Sequence, residues 1–332
     1  MRKALSLVAA ATMAMLALNA PAASAATSVT FQPQSVLGPG VPKDGSKTDQ
    51  NVVALGSVTL DVTATQTAHV SAVMRVNNAT IRTLFDNEIV CKWVGGSKNT
   101  VLGQNVYQKG SGKPEWEDVT LTASQLVHPG VAARVTCTAF IRTASLGWED
   151  STVSLVGGSM RITPAGTGKP IQSVVPAGLL KVDGSNPIVR QPSLPMFDVA
   201  AGANNLDVVA DVEYLVCHTI SACDKSNSSK ASFTLFVNQW KADGMLCRTD
   251  SKSVTLDVPY YVHHVVVPLN NNDVPIQKAD GCVPRFNAYV MVKWLGGETG
   301  AVQGTANNLT DGRGSTGRHD SDMSAVYAVP AV

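Results

Sequence analysis

The chain has 332 residues, a formal net charge of +1, 15% charged, 44% hydrophobic and 5% aromatic residues. That balance supplies neither the basic face that nucleic acid requires nor a polybasic patch for anionic lipid. The apolar share is large enough for packed cores, which excludes wholesale disorder.

Residues 1–25 carry Arg2 and Lys3, an apolar run, and small residues at Ala23, Ser24 and Ala25. This pattern predicts an export signal cleaved after Ala25, so the mature protein is expected to be secreted. No later segment reaches the roughly 18 apolar residues of a spanning helix, and no membrane insertion is expected.

Beyond the signal, nearly every apolar segment alternates apolar and polar residues, is rich in Val, Ile and Thr, and ends at Gly, Asn, Ser or Pro. "GSVTLDVTATQ", "AHVSAVMRVNN", "NEIVCKWVGG", "EDVTLTASQ", "AARVTCTAFIRT" and "STVSLVGGSMRIT" are predicted strands. A Gly- and Pro-rich stretch at 163–170, "TPAGTGKP", then reads as a linker. After it "NLDVVADVEYLV", "ASFTLFVNQW", "SVTLDVPYYVHHVVVPL", "FNAYVMVKWLGG" and "MSAVYAV" repeat the strand pattern. The expected fold is all-β: two tandem antiparallel β-sandwich domains at 26–165 and 166–332, related by internal duplication.

The duplication is read from short matches in constant order. "QSV" at 34 meets "QSV" at 172, "LDV" at 60 meets "LDV" at 206, and "MRVNN" at 74 meets "LFVNQ" at 235. Cys91 meets Cys247, Cys137 meets Cys282 and Trp148 meets Trp294, with offsets throughout between 138 and 161. The more conspicuous pair, "KWVGG" at 92 and "KWLGG" at 293, has no companion at its own offset and is set aside. Export favours disulfides over free thiols. If the copies share a fold, Cys91 pairs with Cys137 and Cys247 with Cys282, which leaves Cys217 with Cys223 as a stapled loop found only in the second copy.

The search for chemistry is largely negative. "VGGSK" and "VGGSM" place serines after glycines without the strand-to-helix elbow of a serine hydrolase, and read as hairpin turns. "GTGK" at 166 lacks phosphate-loop spacing. His263 and His264 are neighbours in a strand and point to opposite faces, so they do not share a metal. The 309–322 loop, with Asp311, Arg313, Arg318, His319, Asp320 and Asp322, is the longest insertion and the expected binding loop, read as a solvated hairpin rather than a calcium site. Trp116, in the polar setting "KPEWEDV", is the best-placed aromatic for a sugar, while Trp294 reads as core. No catalytic residue, metal or cofactor is expected. The expected function is a secreted non-catalytic binding protein, an adapter, scaffold or adhesion component contacting another extracellular protein or surface component. A carbohydrate or cell-wall binding module is the alternative, and a secreted hydrolase or inhibitor the second alternative.

Overall fold

A computed structural model describes residues 27–40, 51–77, 83–106, 119–145, 148–167, 171–176, 178–200, 202–216, 228–262, 264–304 and 324–331. The first half contributes β1 (Thr27–Phe31), β2 (Gln34–Gly38), β3 (Asn51–Val62), β4 (Gln66–Asn77), β5 (Thr83–Trp93), β6 (Gly96–Val106), β7 (Val119–Val127), β8 (Ala133–Ser145) and β9 (Ser151–Thr167). The second contributes β10 (Ile171–Val174), β11 (Leu179–Val182), β12 (Ile188–Asp198), β13 (Asn205–Val216), β14 (Ser228–Lys241), β15 (Leu246–Pro259), β16 (His264–Pro275), β17 (Cys282–Gly297), β18 (Gly300–Gln303) and β19 (Ala325–Ala331).

Alternation is what turns these strands into sandwiches. In β8 the side chains of Val135, Cys137, Ala139 and Ile141 are fully buried, while the intervening Thr136, Thr138 and Phe140 are half-buried on the other face. A sheet with one apolar face must cover it with another sheet. In the first half a five-stranded sheet (β1-β9-β4-β7, with β2 on β9) packs against a four-stranded sheet (β3-β8-β5-β6). Phe31, Met74, Phe85, Ile89 and Leu121 fill the space between them. In the second half a six-stranded sheet (β10-β19-β13-β18-β11, with β16 on β13) packs against a four-stranded sheet (β12-β17-β14-β15) around Tyr214, Phe233, Leu235 and Phe286. All described pairings are antiparallel and each stays within its own half.

The two halves have the same topology strand for strand. β3-β8-β5-β6 corresponds to β12-β17-β14-β15, and β1, β2, β4 and β7 correspond to β10, β11, β13 and β16. β9 corresponds to β18 and β19 together: its register on β4 breaks between Arg75 and Val76, near the end of β4, and β19 gives way to β18 between Asp211 and Tyr214, near the end of β13. Counterpart strands start between 137 residues (51 to 188) and 150 residues (96 to 246) apart.

The individual sequence matches are displaced from these counterparts. "LDV" at 60 ends β3 whereas "LDV" at 206 opens β13, the counterpart of β4. "MRVNN" begins in β4 but "LFVNQ" lies in β14, the counterpart of β5, and Gln34 opens β2 whereas Gln172 lies in β10, the counterpart of β1. Trp148 precedes β9 while Trp294 lies in β17. Strands built from a small alphabet of Val, Thr, Leu and Asp generate such three-residue coincidences between non-equivalent positions. The aromatic match that topology supports is Trp93 with Trp240, each at the last ladder rung of its hairpin, opposite Gly96 and Leu246.

Three local expectations are also corrected. "VGGSM" is no turn: Gly157 and Gly158 sit inside β9, at φ 152° and 157°, where a β-bulge shifts the register against β4. "TPAGTGKP" is strand through Thr167, which pairs with Gln66. "SVTLDVPYYVHHVVVPL" is two strands, β15 and β16, separated by a 3-10 turn at Tyr260–Val262 that follows Pro259.

Both described disulfides join strands within one sandwich, but not at equivalent places. Cys91 and Cys137 face each other on neighbouring strands β5 and β8. Cys247, on β15, reaches Cys282 on β17 across the end of the intervening β14. The two pairs are those expected from the sequence and each lies in its own half, but Cys247 on β15 is not the positional counterpart of Cys91 on β5. Cys217 and Cys223 lie outside the described residues. Among the described residues no helix is long and apolar enough to cross a membrane.

Candidate functional site

Counterpart sheets of the two halves face one another. Leu126 on β7 and Ala165 on β9 meet Val209 on β13 and Tyr327 and Val329 on β19 in a small apolar seam. Polar bonds stitch its margin. Thr122 Oγ1 donates to Asp211 Oδ1 at 3.0 Å, His69 Nε2 lies 2.9 Å from the Tyr327 hydroxyl, and Lys98 Nζ donates to Leu126 O at 2.9 Å and Gln172 Oε1 at 2.6 Å.

Burial sets the protonation of this junction. It pushes the Asp211 carboxyl up to about 6, against the Thr122 hydrogen bond, and pulls His69 down to about 4, helped by nearby Arg161. Lys98 is lowered by burial, and Tyr327 is raised by burial and by the neighbouring Asp211 carboxylate. At one end Glu213 Oε1 lies 2.6 Å from His264 Nδ1. Burial and then Asp86 raise Glu213 well above the carboxylate range, while burial takes His264 to about 3. Both shifts disfavour the charged forms of the pair.

Two grooves flank the ridge formed by the end of β9 and Pro330. One, of about 580 Å³, is walled by Leu126, Ile171, Leu194, Phe197 and Pro330. The other, of about 590 Å³, presents Gln66, His69, Asp207 and Asn272. Among the described residues no group of three His, Cys, Asp or Glu is arranged to hold a metal ion.

The outer faces of the two four-stranded sheets differ sharply. On the first, Arg142 on β8 lies 3.6 Å from Asp86 and 3.8 Å from Glu88 on β5, and all three are buried. On the second, the face turned from the core is open and built of uncharged polar and aromatic side chains. One cross-strand row runs Ser193, Tyr289, Phe236, Ser251 from β12 to β15. Beside it run Met291, Thr234 and Ser253 on one side and Asn287, Asn238 and Thr249 on the other. Phe236 and Tyr289 stack with ring centroids 5.2 Å apart and planes 26° apart, a cross-strand pair that stands on the sheet and offers ring edges. Trp240 Nε1 donates to Asn287 Oδ1 at 2.8 Å, which draws the half-buried indole from β14 towards β17. Thr249 Oγ1 donates to Asn238 Oδ1 at 2.8 Å, and the Thr234 and Ser253 hydroxyls lie 2.9 Å apart, so much of this face is held in one arrangement.

Of the residues singled out in the sequence, Trp116, Asp311, Arg313, Arg318, His319, Asp320 and Asp322 lie outside the described residues, as does His263. Trp294 is partly buried against the second core, as its setting suggests, and its Nε1 donates to Glu298 O. Trp148 is 72% exposed on the segment before β9. The face centred on Phe236 and Tyr289 escaped sequence reading because each ring is an ordinary polar-face residue of its own strand. Only the β14–β17 register brings them together. The even positions of "SFTLFVNQW", with Thr234, Phe236, Asn238 and Trp240 on one face, held the available signal.

No family model matches the chain, and no curated protein matches it. Solved structures that align with it include the N-terminal CBM22-1-CBM22-2 tandem domain from Paenibacillus barcinonensis Xyn10C, at 9% identity over 92% of this chain and 94% of that one, with a TM-score of 0.24. The infectious bursal disease virus Gt strain aligns at 8% identity over 94% and 78%, TM-score 0.27, and PNGF-II at 11% over 91% and 65%, TM-score 0.27.

Proposed function

We propose that the chain is an exported, non-catalytic binding protein whose contact surface is the open face of the β12-β17-β14-β15 sheet, with the first sandwich as its fixed support. The observation that carries this reading is the contrast between the two outer faces: the first buries an ion-paired triad, the second displays locked hydroxyl, amide and aromatic groups. Preorganised side chains lose little freedom on binding, which is where affinity is otherwise dissipated. The two cystines are compatible with an oxidising compartment. The test is a pull-down from the producing organism's culture fluid with the wild-type chain and with Ser251→Glu/Ser253→Glu, two exposed positions on the face. A macromolecule retained by the first and lost by the second is the expected result. Equal retention by both refutes the face as the contact surface.

A further inference from the structure

Resting on that reading of the face, we infer that its ligand is a neutral polysaccharide. In the block spanning β17, β14 and β15, from Asn287 to Met291 and across to Ser251, no outward side chain is a Lys, Arg, His, Asp or Glu. Charges stand outside it: Arg190 on edge strand β12, Lys293 one rung beyond Met291, and Arg285 already bonded to Asp198 at 2.9 Å. An acidic ligand would find no cation at the centre, and a basic one no carboxylate.

The apolar surface is arranged the wrong way round for a protein partner. Protein interfaces concentrate large apolar side chains at a dry centre and surround them with a polar rim. Here the well-exposed large apolar residues of this sheet lie at its margins: Ile188 at 41%, Met196 at 53% and Leu246 at 49% on the edge strands β12 and β15, and Leu295 at 44% near the end of β17. The centre instead offers hydroxyls and carboxamides, which donate and accept as sugar hydroxyls do. Beside them lie the half-buried Trp240 indole and the Phe236–Tyr289 edges, apolar surface on which the C–H faces of sugar rings can rest. Neighbouring strands stand roughly 4.8 Å apart, so the four strands lay these groups out over a span of about 14 Å, enough for several sugar units in a row.

The experiment is retention of the full chain on insoluble cellulose, xylan, mannan and chitin, and on anionic pectin as a control, at low and high salt. Three proteins are compared: wild type, Trp240→Ala, and Ser251→Glu/Ser253→Glu, which adds charge at exposed positions without removing packing. The expected result is retention on at least one neutral polymer, little changed by salt, weakened at least about tenfold in both variants, with the melting temperature of Ser251→Glu/Ser253→Glu nearly unchanged. Salt-sensitive retention on pectin alone overturns the neutral class. So does failure on every polymer while Ser251→Glu/Ser253→Glu abolishes capture of a protein from culture fluid, an outcome that leaves the face as the contact surface. Failure on every polymer with capture unchanged overturns both.

Discussion

Asp211→Asn should gain stability relative to the wild-type protein as pH rises. Asp211 is 3% exposed at the junction and accepts one hydrogen bond, from Thr122. Burial raises its carboxyl from 3.8 to about 6. For an acid whose folded value lies above its unfolded value, the native state binds more protons across the interval, so stability falls as pH rises through it. The shift is roughly two pH units, so at about 1.4 kcal/mol per unit the buried carboxylate costs on the order of 3 kcal/mol once fully ionised. Asparagine keeps the oxygen that accepts from Thr122 and removes the charge. Urea unfolding of both proteins from pH 4 to 8 should show the variant gaining up to about 3 kcal/mol between pH 4 and about pH 7, then levelling off. Any cost of the new amide N–H groups enters as a pH-independent offset of about 1–3 kcal/mol and does not touch this slope. A difference between the two proteins that stays flat from pH 4 to 8 would refute the assignment of Asp211 as a buried, uncompensated carboxyl.

The remaining expectations are simpler. Replacing Cys91 and Cys137 with alanine should lower stability by about 4 kcal/mol on loop entropy for the 46-residue separation, and replacing Cys247 and Cys282, 35 apart, by nearly as much, both read by denaturant midpoint. Gly158→Ala should cost about 2 kcal/mol or more, because φ is 157° and a Cβ there would collide with the Val73 carbonyl oxygen; Gly95→Ala, in an open turn, should cost less. Leu126→Asp places a carboxylate in the apolar seam and should lower the melting temperature by several degrees while leaving each sandwich's strand content intact by circular dichroism.

Much of the architecture was legible because alternation writes itself into sequence: a residue such as Cys137 is buried between half-buried threonines wherever its strand packs. The duplication was legible as a constant order of segments, and the structure bears out its topology. Residue equivalence was not, because loops of different length slide the copies and short strand motifs recur by chance. Cys247 looked like Cys91 and lies one strand over. The candidate face was illegible for a different reason. Tyr289 and Phe236 are 53 positions apart, and only ladder register places them side by side. The junction was hidden in the same way: Asp211, Glu213 and Tyr327 sit in apolar runs that read as core, and their partners Thr122, Asp86 and His69 belong to the other half.

Hydroxyl-radical footprinting of the full chain, free and bound to the polymer or partner it retains, tests the central claim most directly. Tyr289, Met291 and Trp240 should lose reactivity on binding, while Trp148, exposed on the far sandwich, keeps it. Protection of Trp148 with Tyr289 and Trp240 unchanged would contradict the account and move the contact surface to the first half.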